Sequence, residues 1–191
     1  MAGVYGPRRG LTAAVALLAS LLLPGAALAS GNSTSVTLTA GSLSFSTTPS
    51  ASNFPSTALT GAAQTIHTNL ATWGVDDATG SGAGWHVTFQ ASQFSGTGPI
   101  TLPEGSLVLT APVAAASGIN LAVPPLLQGA TFTLDAGAAV PIAHALAGTG
   151  QGSWTFTQSN LTGGDLALTI PANATAGTYT SNITFTLAAG P

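Results

Sequence analysis

Trp73-Gly74-Val75-Asp76-Asp77-Ala78-Thr79-Gly80-Ser81-Gly82-Ala83-Gly84-Trp85-His86-Val87-Thr88-Phe89 reads as two extended runs joined by an acidic, glycine-rich turn. In the second run Trp85, Val87 and Phe89 fall on one side of the chain, and His86, Thr88 and Gln90 on the other. Successive side chains of a strand point to opposite faces of a sheet. The spacing therefore predicts Trp85 in a core and His86 towards solvent. The competing use of Trp85 is direct stacking on a sugar ring; as packing, its ring would contribute more than any residue nearby. The same parity applied to Trp154 with Phe156, and to Tyr179, Ile183, Phe185 and Leu187, predicts core rungs rather than a binding row.

Working outward from this stretch, apolar residues alternate with Thr and Ser at period two, and no segment has convincing helical periodicity. The class is all-β. The clearest runs are 36–40 with 42–46, then 66–75, 85–91, 106–110, 131–134, 140–146, 153–158, 166–170 and 178–187. Glycine-rich clusters at 79–84, 95–99, 148–152 and 162–165 punctuate them. About nine or ten short strands with such turns predict a single β-sandwich-like domain. Residues 111–128, with Pro112, Pro124 and Pro125, read as a long connection or an insertion across one end. Residues 30–35 read as a polar tail and 47–57 as a Ser/Thr/Pro loop, and no linker divides the chain in two.

Only 4% of the 191 residues are charged, and the two basic ones, Arg8 and Arg9, stand at the start. Everything after them contains no Lys or Arg and five acids: Asp76, Asp77, Glu104, Asp135 and Asp165. Nucleic-acid binding is excluded, because it needs cations to displace condensed counterions, and docking on an anionic polymer or membrane surface has the same requirement. Thr-rich strands without Lys also lack the charges that discourage pairing between sheet edges, which leaves self-association open.

Residues 1–29 have the organisation of a signal peptide: Arg8 and Arg9, an apolar run over 11–23, a Pro24-Gly25 break and the small-x-small site Ala27-Leu28-Ala29. Cleavage after Ala29 makes Ser30 the new N-terminus and leaves residues 30–191 as the exported domain. An uncleaved anchor is the alternative, since the run extended to Ala29 approaches the length of about 20 residues that spans a bilayer; the break and the Ala-x-Ala site favour cleavage. There is no cysteine for a lipid anchor or a disulfide, so no membrane attachment remains after cleavage and the fold rests on its core alone. At this length about 70% of the unfolded surface can be buried.

Asp76 and Asp77 ahead of the turn could offer oxygen ligands to a hard cation such as calcium, but the EF-hand spacing is missing. A solvated turn whose carboxylates cap local backbone is the better reading. His67, His86 and His144 have no spacing that resembles a metal site. No Gly-x-Ser-x-Gly elbow occurs, and the sole close pair of carboxylates consists of sequence neighbours that diverge on a strand, so neither hydrolytic scheme is met. No enzyme, cofactor or metal is expected. Sequons begin at Asn32, Asn160, Asn173 and Asn182, as chance produces in a chain this rich in Ser and Thr.

Two regions together carry a family likeness. Val75-Asp76-Asp77-x-x-Gly80 leading to Gly84-Trp85-His86-Val87, and Ile170-Pro171 followed by Ala176-Gly177-Thr178-Tyr179-x-x-x-Ile183-Thr184-Phe185-Thr186-Leu187, resemble the two signature regions of the WxL domain of Gram-positive cell-surface proteins. The likeness spans about 36–191. Val87 stands where the family prefers Leu, and Phe185 where it has its second Trp. The resemblance implies a secreted, noncatalytic protein held noncovalently on the cell wall, with peptidoglycan or another wall glycan as ligand and other surface proteins as partners. It marks Trp85, Val87, Tyr179, Phe185 and Leu187 as motif positions, for binding or for the core. The rival readings are a self-assembling coat, fibre or surface-layer subunit, and a carbohydrate-binding module.

Overall fold

The computed structural model describes residues 32–118, 122–157 and 163–191. Among them are fourteen strands and no helix: β1 (Leu43–Thr47), β2 (Gln64–Thr68), β3 (Trp73–Asp77), β4 (Trp85–Ala91), β5 (Ser95–Gly96), β6 (Leu107–Thr110), β7 (Val113–Ala116), β8 (Leu126–Leu127), β9 (Thr131–Thr133), β10 (Val140–Ala145), β11 (Gly152–Thr157), β12 (Leu166–Ile170), β13 (Tyr179–Thr180) and β14 (Ile183–Ala189). They pair antiparallel in the orders β1-β3-β11-β7, β14-β4-β10-β8, β2-β12-β6-β9 and β13-β5. The all-β, sandwich-like class stands. The chain divides into Met1–Thr37 and the compact unit Leu38–Pro191 that holds every strand; the signal segment and the Ala29/Ser30 junction lie outside the described residues.

The strand count exceeds the expected nine or ten for local reasons. The apolar run 66–75 is two strands, because the chain leaves one sheet after Thr68 and enters another at Trp73, with Leu70 bridging to Ala51 between them. The run 178–187 is likewise divided into β13 and β14. The proline-flanked stretch 111–128 is more than a connection, since it supplies the edge strands β7 and β8. Conversely, residues 36–40 form no strand and are exposed. The ladder between β10 and β4 shifts register between Pro141 and Ala143, at the position where proline withholds a backbone donor.

Leucines from β6 and β12 and aromatic rings from four strands fill the core. Trp73 stacks on Phe156 with centroids 3.9 Å apart and planes 6° apart, and Phe45 and Phe89 pack against the same indole. Trp73 Nε1 is buried without a hydrogen-bond partner among the described residues, a cost of about 1–3 kcal/mol. Three aromatic pairs, each contributing about 0.5–1.5 kcal/mol beyond area burial, offset it. Asp135, 1% exposed, accepts hydrogen bonds from the backbone N–H groups of Ser106 (3.1 Å) and Leu107 (3.0 Å), tying the start of β6 to the segment after β9.

Candidate functional site

More than eighty residues separate the two motif regions, yet they contribute the neighbouring strands β4 and β14. The register pairs Trp85 with Ala189, Val87 with Leu187 and Phe89 with Phe185. Directly opposed residues of an antiparallel pair share a face, so Trp85, Val87, Phe89, Phe185 and Leu187 point inward, while Ala189 at the strand's end is exposed. The rings of Phe89 and Phe185 meet edge to face at 4.6 Å and 83°. The other face carries Gln90 opposite Thr184, Thr88 opposite Thr186, and His86 opposite Ala188. This is an uncharged ladder of hydroxyl and amide groups; Thr184 and Thr186 are exposed, while Thr88, Gln90 and His86 are half-buried. Threonine and valine alternating on a pleated surface favour this two-sided arrangement.

Trp85 is 0% exposed. Its Nε1 donates to the Gly150 carbonyl at 3.0 Å, and Trp154 Nε1 donates to the same oxygen at 3.0 Å. One backbone carbonyl thus anchors two indoles and secures the turn between β10 and β11. Gly150 sits at φ +69°, and a Cβ there would lie 2.2 Å from that of Ala145. No face of the Trp85 ring is open to a ligand.

Val87 is buried, whereas Tyr179, Phe185 and Leu187 are half-buried. Tyr179 on β13 and Ile183, Phe185 and Leu187 on β14 are rungs at the margin of the core, packed against it with partial burial; β14 is the last strand of its sheet, and part of its inward face is left uncovered. Tyr179 pairs with Gly96 on β5 and donates its hydroxyl to the Thr175 carbonyl at 2.7 Å.

The uncovered face opens into a groove of about 970 Å³. Ile66, Phe94, Leu168, Ile183 and Phe185 contribute apolar wall, and residues 49–59 and 174–182 line the rest; no charged residue lines it. The 49–59 arm is held by Phe54 packing edge to face on Phe94 at 6.1 Å and by the Thr68 hydroxyl, which donates to the Asn53 carbonyl at 2.9 Å.

Asp76 and Asp77 end β3 instead of forming a solvated turn. Asp77 is buried, and its Oδ1 accepts from the Thr79 hydroxyl (2.6 Å) and backbone N–H (3.1 Å), as a local cap does. His86 and His144, far apart in sequence, are opposed on β4 and β10; their Nδ1 atoms contact the Gly190 carbonyl and the Gln128 side-chain amide. His67 is exposed on β2. No group of three or more metal-ligating side chains gathers among the described residues. Asn32, Asn173 and Asn182 are exposed, and Asn160 lies outside the described residues. The outward ladder and the groove went unread in the sequence; the alternation of Thr with apolar residues in 183–187 was a signal for the first, but the second is built from distant segments.

A family model described as a WxL domain, surface cell wall-binding, matches residues 29–191. The chain belongs to the WxL family. Its place is the cell surface, where the domain binds the cell wall. No match is found among curated proteins or among solved structures. In this WxL chain the first motif tryptophan is a sealed core residue. The motif strands therefore meet the exterior through their outward ladder and through the groove at the second motif.

Proposed function

We propose that this WxL domain attaches the protein noncovalently to peptidoglycan, without catalysis, after residues 1–29 are removed as a signal peptide and residues 30–191 are exported. The observation that carries this reading is the uncharged ladder Thr88, Gln90, Thr184 and Thr186 on the outward face of the two motif strands. Hydroxyl and amide side chains both donate and accept, which suits a polymer of sugars and amides. With no Lys or Arg after Arg9, attraction to anionic wall polymers contributes nothing, and binding comes from hydrogen bonds. The WxL match supports wall attachment; the ladder and the missing cations support the choice of peptidoglycan.

The test is co-sedimentation of residues 30–191 with isolated Gram-positive sacculi before and after their anionic polymers are stripped, with protein alone as control. Saturable pelleting that survives stripping is expected. The double variant Thr88→Val, Thr186→Val keeps shape and strand preference but removes two hydroxyls, and should weaken pelleting roughly tenfold at hydrogen-bond strengths of about 0.5–1.5 kcal/mol each. Loss of pelleting on stripping, or a double variant that binds unchanged, refutes the proposal.

A further inference from the structure

Residues 36–40, Val36-Thr37-Leu38-Thr39-Ala40, have the composition and alternation of a half-buried strand, yet they belong to none of the strands among the described residues. Val36 and Leu38 are 82% and 87% exposed, the two most exposed large hydrophobics among the described residues. Scattered exposed apolar residues need no explanation. Here, however, Val36, Leu38 and Ala40 would form one continuous apolar stripe on an extended chain, with Thr37 and Thr39 opposite.

The compact unit has a complementary edge, hydrogen-bonded on one side, with β1 packed nearby. β14 is the terminal strand of its sheet, seven residues long, and its sequence Ile183-Thr-Phe-Thr-Leu-Ala-Ala189 holds no charge and no proline. Such an edge is a template for pairing with another chain. Beside it lies the uncharged groove, walled by Ile183 and Phe185 on β14 and by Ile66 and Leu168 from the neighbouring sheet. A strand laid along this edge gains main-chain hydrogen bonds, and its alternate side chains enter the groove, as in recognition by strand addition.

We propose that residues 36–40 of one copy add as a strand to the β14 edge of a second copy, seating Val36, Leu38 and Ala40 in the groove. Donor and acceptor are different surfaces, so the contact is head-to-tail and generates open chains unless the rotation closes a ring. The inference is independent of the wall ligand, which is assigned to the outward ladder, and it needs only that residues 30–35 lead the exported chain.

Light scattering on residues 30–191 over the micromolar range should show mass rising with concentration. Leu38→Asp should be monomeric throughout with an unchanged melting temperature, because Leu38 is exposed in the single chain. A labelled peptide of residues 32–40, added to full-length Leu38→Asp chain, should bind at least about tenfold more tightly than the same peptide carrying Leu38→Asp, a change of about 1.4 kcal/mol. The chain has no native cysteine, so mixing Leu38→Cys with Ile183→Cys should produce a crosslinked heterodimer several-fold faster than mixing Leu38→Cys with the exposed control Thr157→Cys. A wild-type chain that stays monomeric, or a Leu38→Asp chain that does not bind the peptide, overturns the proposal. So does assembly that persists in Leu38→Asp, or crosslinking no faster than the control.

Discussion

Replacing Trp85 by alanine separates the two uses of the first motif, because the structure assigns the ring wholly to the core. A tryptophan buries about 150–250 Å², and at about 25 cal/mol per Å² its removal forfeits roughly 4–6 kcal/mol as an upper bound. Truncations of large aromatic residues in cores cost about 3–5 kcal/mol. The lost hydrogen bond adds little, since the Gly150 carbonyl keeps Trp154 Nε1 at 3.0 Å and is not orphaned. A loss of about 4 kcal/mol is expected, a large share of the roughly 5–15 kcal/mol that holds a domain folded. For 150–250 residues each kcal/mol moves the melting temperature by about 2–4 °C, so the transition should fall by about 8–16 °C, followed by circular dichroism. Trp85→Phe keeps most of the ring and should lose less than half as much, and below its transition it should pellet with sacculi like the wild type. A Trp85→Ala melting curve within about 2 °C of wild type, accompanied by lost pelleting, would refute the reasoning and make the ring a wall contact.

Three further outcomes follow from the geometry. Gly150→Ala forces a side chain onto a backbone at φ +69° and against Ala145 at 2.2 Å; a loss of at least about 2 kcal/mol is expected in urea unfolding. Asp135→Ala strands the buried N–H groups of Ser106 and Leu107 and should cost about 2–4 kcal/mol by the same measurement, whereas Asp135→Asn, which keeps one acceptor, should cost less. Added calcium should leave the melting temperature unchanged, since Asp77 Oδ1 is already engaged by Thr79; a clear rise would show that an oxygen site near Asp76 and Asp77 takes the ion.

Local parity was legible wherever one strand has a fully covered face. Trp85, Val87 and Phe89 alternate with His86, Thr88 and Gln90, and the burial of β4 follows that alternation residue by residue. Boundaries were not legible where the chain changes sheets without changing composition, as between Thr68 and Trp73. Edge strands escaped for another reason: β7 and β8 need partners on one side alone, so four residues after Pro112 and two after Pro125 suffice. The strand-like pattern of 36–40 failed within the single chain because a strand forms only beside a partner. For the site, the inward positions of the two motifs could be read from alternation, while the opposition of Val87 to Leu187, the meeting of His86 with His144 and the shared Gly150 carbonyl are long-range facts that no local pattern encodes.

The pairing of β4 with β14 also orders events in time. A chain made from its N-terminus presents Val87 and Phe89 long before Leu187 and Phe185 exist to cover them, and contacts of such long sequence separation are slow to form. Until the last strand arrives, the first motif strand can pair with β10 along one edge while the edge that β14 takes stays open to capture by other chains. Under the export proposed above, delayed closure keeps the polypeptide thread-like until its core can be completed. The second motif then acts as the clasp that completes the domain.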